Sequence, residues 1–289
     1  MKMWSRLFLM FACAFICLPA FSKQQKGKSL LWRITGKDMK KPSYLFGTIH
    51  LVCPEDYFWT TTMESTLNSA EVVCFEMDLD APDIFLEVAK GMINNEEKKL
   101  KDYFSDEDFA ALKKYLTDSV GVDIAVFQMM KPVAIQTMLA ERALGCPTPV
   151  SYEANIMQIA QKENKEILGL ETPREQLDLF DNLPAEDVAK DLLDMIHGKD
   201  DSKNQYIKLV TAYKKQDLVA LHRLIMESSK KDMDLGGFLD VRNEKWVPRM
   251  VERMDQQSVF FAVGAGHLWG DNGVIALLRK SGYTVEPMK

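Results

Sequence analysis

Positive charge is in short supply. Thirty-six Lys and Arg stand against 42 Asp and Glu, a formal charge of −6. No cationic surplus exists to neutralise phosphates, so nucleic acid is not an expected partner. Cysteine is sparse as well, with five residues in the chain and no CxxC pair. Thiolate zinc sites and a disulfide scaffold are thereby excluded. There are only four histidines, His50, His197, His222 and His267. HExxH is missing, which removes the zincins, and GxSxG is missing, which argues against a nucleophile-elbow esterase. Neither GxxxxGK[ST] nor GxGxxG occurs, and Gly264-Ala265-Gly266 is only a fragment of a dinucleotide fingerprint. After residue 22 no segment is long and apolar enough to span a bilayer, which takes ~20 residues.

What is present is an ordinary globular balance, 47% apolar and 27% charged. That balance excludes a disordered chain, a collagen and a multi-span membrane protein. The first residues read as a secretory signal peptide over 1–22. Lys2 and Arg6 form a basic start, residues 7–18 (LFLMFACAFICL) an apolar run, and Pro19-Ala20-Phe21-Ser22 a small-residue cleavage site. Ile16 before Cys17 argues against a lipoprotein. The expected location is therefore outside the cytoplasm: periplasm, cell surface or extracellular space. Cleavage would leave Cys53, Cys74 and Cys146, three thiols that cannot all pair internally. Buried free thiols are the plain expectation, and a Cys53–Cys74 bridge the sharper one.

Residues 23–29 are polar and read as a mobile N-terminus ahead of a single domain over 30–289. Residues 30–35 (LLWRIT) and 43–50 (SYLFGTIH) suggest a β-hairpin, residues 57–69 a helix and 71–77 (EVVCFEM) a buried strand. The centre is helical. Ser105 opens a capping box, and Pro132 should start or kink a helix. Residues 165–170 (KEILGL) form a short strand, and Thr172-Pro173-Arg174-Glu175 a helix start. Residues 258–263 (SVFFAV) and 283–287 return to strand. The expected fold is α/β, with a central mixed sheet built from both chain ends and a helical middle. YLFGTIHLV and FFAVGAGHLW repeat an apolar strand followed by Gly-x-x-His, which suggests pseudo-symmetric halves.

Ligands of α/β folds gather outside the carboxyl ends of strands. His50 and His267 close two strands there. Glu76 and Glu171 end two others, and a lone charge at the end of an apolar strand needs a partner. Two imidazoles with carboxylates suit a divalent ion such as Zn²⁺ or Mn²⁺. The competing reading of each acid is an ion pair or a helix-terminus contact. His197 and His222 lie in polar helical stretches and are expected to be solvated.

LLWRITGKDMKKPSYLFGTIHLV, VVCFEMD, SYEANIMQIAQKENKEILGLET, RNEKW and FFAVGAGHLWGDNGVIALLRKSGYTVEP occur in that order. Together they resemble the TraB/GumN family, which is related to the TIKI metalloproteases that trim Wnt proteins. The resemblance runs from Leu30 to Pro287. It implies a metal-dependent, peptidase-like domain using Mn²⁺ or Co²⁺, with Zn²⁺ a further option, and peptide or protein substrates. Carried over, His50, His267 and Glu76 are the metal set. Glu171 is the expected general base, a role Glu76 could exchange with it, and Arg242 the expected oxyanion or carboxylate partner. Glu153 stands where the family often has an Asp after Gly. The wider fold group also contains erythromycin-esterase-like and haem-binding relatives. Two rival readings follow: a haem- or metal-binding protein without hydrolysis, and an esterase-like hydrolase using His without metal.

Overall fold

The computed structural model describes residues 27–36, 39–94, 97–181, 183–198, 202–228 and 235–289. The expected signal peptide lies outside them. Eight strands form among the described residues: β1 Leu31–Thr35, β2 Ser43–Thr48, β3 Leu51–Val52, β4 Val72–Met77, β5 Val150–Ser151, β6 Glu166–Glu171, β7 Val259–Gly264 and β8 Thr284–Pro287. Six make a mixed sheet in the order β6-β4-β7-β2-β1-β8, and β3 pairs with β5 in a small second sheet. β6, β4, β7 and β2 are mutually parallel, so their carboxyl ends share one edge. The β1–β2 hairpin is antiparallel, as its sequence predicts, and β8 adds antiparallel to β1. The chain is thus α/β with a central mixed sheet drawing on both ends, while the middle contributes β6.

Burial explains the near-continuous apolar runs of the inner strands. β7 and β4 are covered on both faces, and Phe260 and Phe261 are fully buried. Eleven helices are described: α1 Thr61–Ser69, α2 Ile84–Gly91, α3 Asp106–Tyr115, α4 Pro132–Ala143, α5 Tyr152–Lys162, α6 Pro173–Asp181, α7 Ala185–Ile196, α8 Ser202–Lys214, α9 Leu218–Ser228, α10 Leu235–Gln256 and α11 Val274–Lys280. Their starts follow local chemistry. Pro132 opens α4 instead of interrupting it. Thr172 and Glu175 exchange hydrogen bonds at the head of α6: each backbone N–H donates to the other's side chain. Ser151 caps α5 by accepting from Ala154 N–H, which puts Glu153 in the first turn. A satellite core under α3, α4 and α7, including Leu112, Ile135 and Leu192, lies apart from the sheet.

Two details differ from the sequence expectations. The disulfide joins Cys53 to Cys146, while Cys74 is a buried free thiol. Cys74 sits inside β4 with no exposure, out of Cys53's reach, whereas β3 and β5 pair and bring the segments around Cys53 and Cys146 together. In the N-terminal stretch, residues 23–26 lie outside the described set. Ser29 is buried, and its hydroxyl donates to the carbonyl oxygens of Leu31 and Met288. No described helix is long and apolar enough to cross a membrane.

Candidate active site

The carboxyl edge of the four parallel strands carries the charged cluster. Thr48 ends β2 opposite Gly264 of β7, so the two Gly-x-x-His segments leave the sheet side by side. A Cβ at Gly47 would come within 3.1 Å of Ala265 Cα and 2.9 Å of Leu268 Cδ2. Glycine there lets the second segment pack directly on the first. Gly264 plays a related part in the second motif. Its N–H donates to Glu76 Oε1 at 2.8 Å, and a Cβ would stand 3.2 Å from that oxygen.

His50 lies just beyond β2, at the mouth of a cavity. Its ring is 71% exposed, and Nδ1 is 2.9 Å from Glu153 Oε1. The Thr48 hydroxyl donates to the same oxygen at 2.7 Å, and Ser151 donates to Oε2. The hydrogen bond to Glu153 outweighs the desolvating surroundings at the cavity mouth and, with the negative charge of Glu153 and Glu76, lifts the imidazole pKa to about 9. Burial opposes ionisation of Glu153, but the hydrogen bond and charge of His50 and the Thr48 hydroxyl hold it below the usual carboxylate value.

His267 has the opposite surroundings. It is buried, and its ring packs 4.3 Å from that of Trp246. Nδ1 is 2.8 Å from Asn243 Oδ1, and Nε2 is 3.0 Å from Arg242 Nη1. Asn243 Nδ2 donates to the Asn272 carbonyl, so Oδ1 is the acceptor facing His267. That fixes the tautomer: Nδ1 carries the proton and Nε2 accepts from Arg242. Burial, reinforced by Arg242 and His50, overcomes the charge of Glu76 and lowers the pKa to about 3. His267 is a neutral acceptor.

Arg242 is the hub. It projects from α10, 5% exposed, with Asn243 and Trp246 on the same helix. Nη2 donates to Glu76 Oε2 at 2.5 Å and to Glu171 Oε1 at 2.6 Å, and Nε donates to both Glu171 oxygens. Trp246 Nε1 donates to Glu171 Oε2 at 2.9 Å, and Gln176 Nε2 to Glu171 Oε1 at 3.1 Å. The Trp246 ring lies 4.5 Å beneath the guanidinium. Burial resists the charge on Glu76, but Arg242, His50 and the Gly264 N–H together hold its pKa below the usual carboxylate value.

All five sequence-nominated residues therefore meet at one edge. Glu153, Asn243, Trp246 and Gln176 complete the cluster. Asn243 and Trp246 had a visible signal, because RNEKW spaces Arg, Asn and Trp as helical neighbours. Gln176 had none. His222 leans against Gly270 instead of standing free in solvent.

The donor types, two imidazoles and several carboxylates, are those of a divalent-ion site. Their arrangement does not fit one. Among the described residues no three His, Cys, Asp or Glu side chains converge as ligands. His267 Nε2 and Glu76 Oε1 stand 3.9 Å apart, a spacing that two ligands of one ion can have, but the Arg242 guanidinium already engages His267, Glu76 and Glu171.

The chain is similar to Metalloprotease TIKI1 of Danio rerio, 23% identical over 89% of the chain and 63% of the relative. It is 22% identical to Metalloprotease TIKI1 of Homo sapiens, over 91% of the chain and 63% of the relative. To the Metalloprotease TIKI homolog of Amphimedon queenslandica it is 22% identical, over 89% of the chain and 61% of the relative. The chain thus spans about three-fifths of the length of these relatives. No solved structure matches it significantly. The family model of TraB/PrgY/gumN matches residues 30–287, both Gly-x-x-His strands and the RNEKW helix included, and the chain belongs to the TraB/PrgY/gumN family.

Proposed function

We propose that the chain is an exported hydrolase of amide bonds, with peptide or protein substrates. The carrying observation is an accessible imidazole, His50, held by a carboxylate and lining the same cavity as the Arg242 cluster. In this reading Glu153 orients His50 and keeps its Nδ1 proton, leaving Nε2 toward the cavity. His50 is charged at neutral pH and becomes a base as pH approaches about 9. It takes a proton from water, the water oxygen bonds to the amide carbon, the C–N bond breaks, and the same proton reaches the leaving nitrogen. Arg242 supplies positive charge to the developing oxyanion. Glu171, whose two oxygens accept from Arg242, Trp246 and Gln176, anchors that arginine. The base role therefore moves from Glu171 to His50. The Cys53–Cys146 disulfide supports export, because such bonds persist in oxidising compartments.

A divalent-ion reading is favoured by the names of the relatives and by the donor types. His50, Glu76 and His267 are the residues it would recruit, and Arg242 is the group it would displace. A haem reading draws on the wide cavity, but both nitrogens of His267 are engaged. The test is turnover of a diverse mixture of free and N-acylated peptides from pH 6 to 10, read by mass spectrometry. It is run with chelator and with added Mn²⁺, Co²⁺ or Zn²⁺, beside His50→Asn. Cleavage that survives chelation and disappears in His50→Asn is expected. Cleavage lost on chelation overturns the metal-free division of roles, and no cleavage under any condition overturns the hydrolase.

A further inference from the structure

The cavity beside the cluster holds about 760 Å³, within the range of sites that enclose a whole small ligand. Its polarity is segregated. Among the described residues, the carboxylate, guanidinium and imidazole side chains of the lining are those of His50, Glu76, Glu153, Arg242 and His267. The remaining polar side chains of the lining are already committed. Thr48 and Ser151 donate to Glu153, Gln176 donates to Glu171, and the Tyr213 hydroxyl donates to the Gly47 carbonyl at 2.9 Å. Away from that end the walls are Ile49, Met77, Met157, Leu209, Ile225 and Leu239, with Phe85, 84% exposed, at the lip.

Such a space discriminates between occupants. A peptide threaded through it would bury main-chain amides against side chains that neither donate nor accept, at a cost for each unpaired group. A saturated alkyl chain carries no such groups. Its one polar end, a carbonyl, would lie against the charged cluster. We infer that the cavity takes the acyl chain of an N-acylated peptide, with the acyl amide carbonyl at the His50–Arg242 end. This rests on the proposed amide hydrolysis and names its substrate class. The acyl carbon receives the water oxygen, the C–N bond breaks, and a carboxylate and an amine leave.

The inference is tested by binding, which does not require turnover. N-hexanoyl, N-octanoyl, N-decanoyl and N-dodecanoyl glycine amide are titrated by calorimetry into the purified chain, below their micelle concentrations. The dissociation constant should fall about fourfold per added methylene until the cavity is full. Two variants locate the site. Met157→Glu puts a charge on the wall and should flatten the series. Ala154→Trp, at an exposed position of the lining that tolerates bulk, should shorten the longest chain accommodated. A dissociation constant indifferent to chain length overturns the inference. So does tighter binding of an apolar tripeptide than of the decanoyl amide, or a series unchanged in both variants. Tight, length-dependent binding without cleavage leaves the acyl site standing and counts against the hydrolase alone.

Discussion

His50 and His267 follow the same apolar-strand, Gly-x-x-His pattern, leave adjacent parallel strands and line one cavity, yet they are opposites. The first is 71% exposed and driven toward the imidazolium, and the second is 4% exposed and driven toward the neutral ring. The motif supplies the position. The partners supply the chemistry: a carboxylate on a helix N-terminus for His50, and a guanidinium, an amide oxygen and an indole for His267. In the proposed reaction, one pole exchanges protons with the substrate and the other holds Arg242 still.

The buried pole should break hardest. Arg242→Ala would leave Glu76 and Glu171 charged, buried and without their shared partner. Removing one member of a buried pair costs ~3–5 kcal/mol, so urea unfolding should show a loss of that order. Arg242→Lys keeps a charge but not the forked geometry, and should recover only part of it. A loss below about 1 kcal/mol would mean that the cluster is not the anchor of this edge.

The exposed pole has its own brace. The disulfide flanks the β3–β5 pair, with Cys53 directly after β3 and Cys146 four residues before β5, so it ties the segment of His50 to that of Glu153. Its loop spans 93 residues, and removing such a bond costs ~2–4 kcal/mol. Cys53→Ser with Cys146→Ser should show that loss in calorimetry. It should also loosen the His50–Glu153 contact and move the His50 titration toward 6.5 while leaving His267 unprotonated at neutral pH. Equal disturbance of both histidines would show that the poles are not independent.

How much of this contrast the sequence displayed depends on the distance over which each signal acts. The Gly-x-x-His pairs, the strand-ending Glu76 and Glu171, and the caps at Thr172 and Ser105 are local, and local chemistry is written in adjacent letters. Which acid meets which base is a long-range matter. Glu153 reaches His50 across 103 positions, and Arg242 reaches Glu76 across 166. Nothing near Cys53 distinguishes Cys146 from Cys74 as its partner, because only the β3–β5 pairing brings the two together. The cavity was equally hidden: its wall residues come from four helices, the end of β4 and the link after β2, and read in sequence as ordinary core.

Alanine at each pole compares them directly. His267→Ala strands Asn243 Oδ1 and Arg242 Nη1 in the interior, which costs ~1–3 kcal/mol. His50→Ala removes an exposed ring and should stay within ~0.5 kcal/mol of the parent in the same unfolding assay, while abolishing turnover. Matching losses in stability would dissolve the distinction between a positioning histidine and a reactive one.

The smallest effect is also the most specific. His50 titrates near 9 in the folded chain and near 6.5 when unfolded, so its pairing stabilises fully below about pH 6.5 and fades as pH rises through 9. Glu153 is shifted the other way, so its share is present above its unfolded value and lost as pH falls through the lowered one. The pair should therefore stabilise most between ~pH 4.5 and 6.5. Exposure of the ring limits the contribution to ~1 kcal/mol or less. NMR titration reads it more sharply than unfolding does: the His50 ring protons should move with a midpoint near 9, and Glu153→Gln should bring that midpoint down toward 6.5. A midpoint near 6.5 in the parent chain would remove the carboxylate as the feature that separates His50 from His267, leaving burial alone to do so.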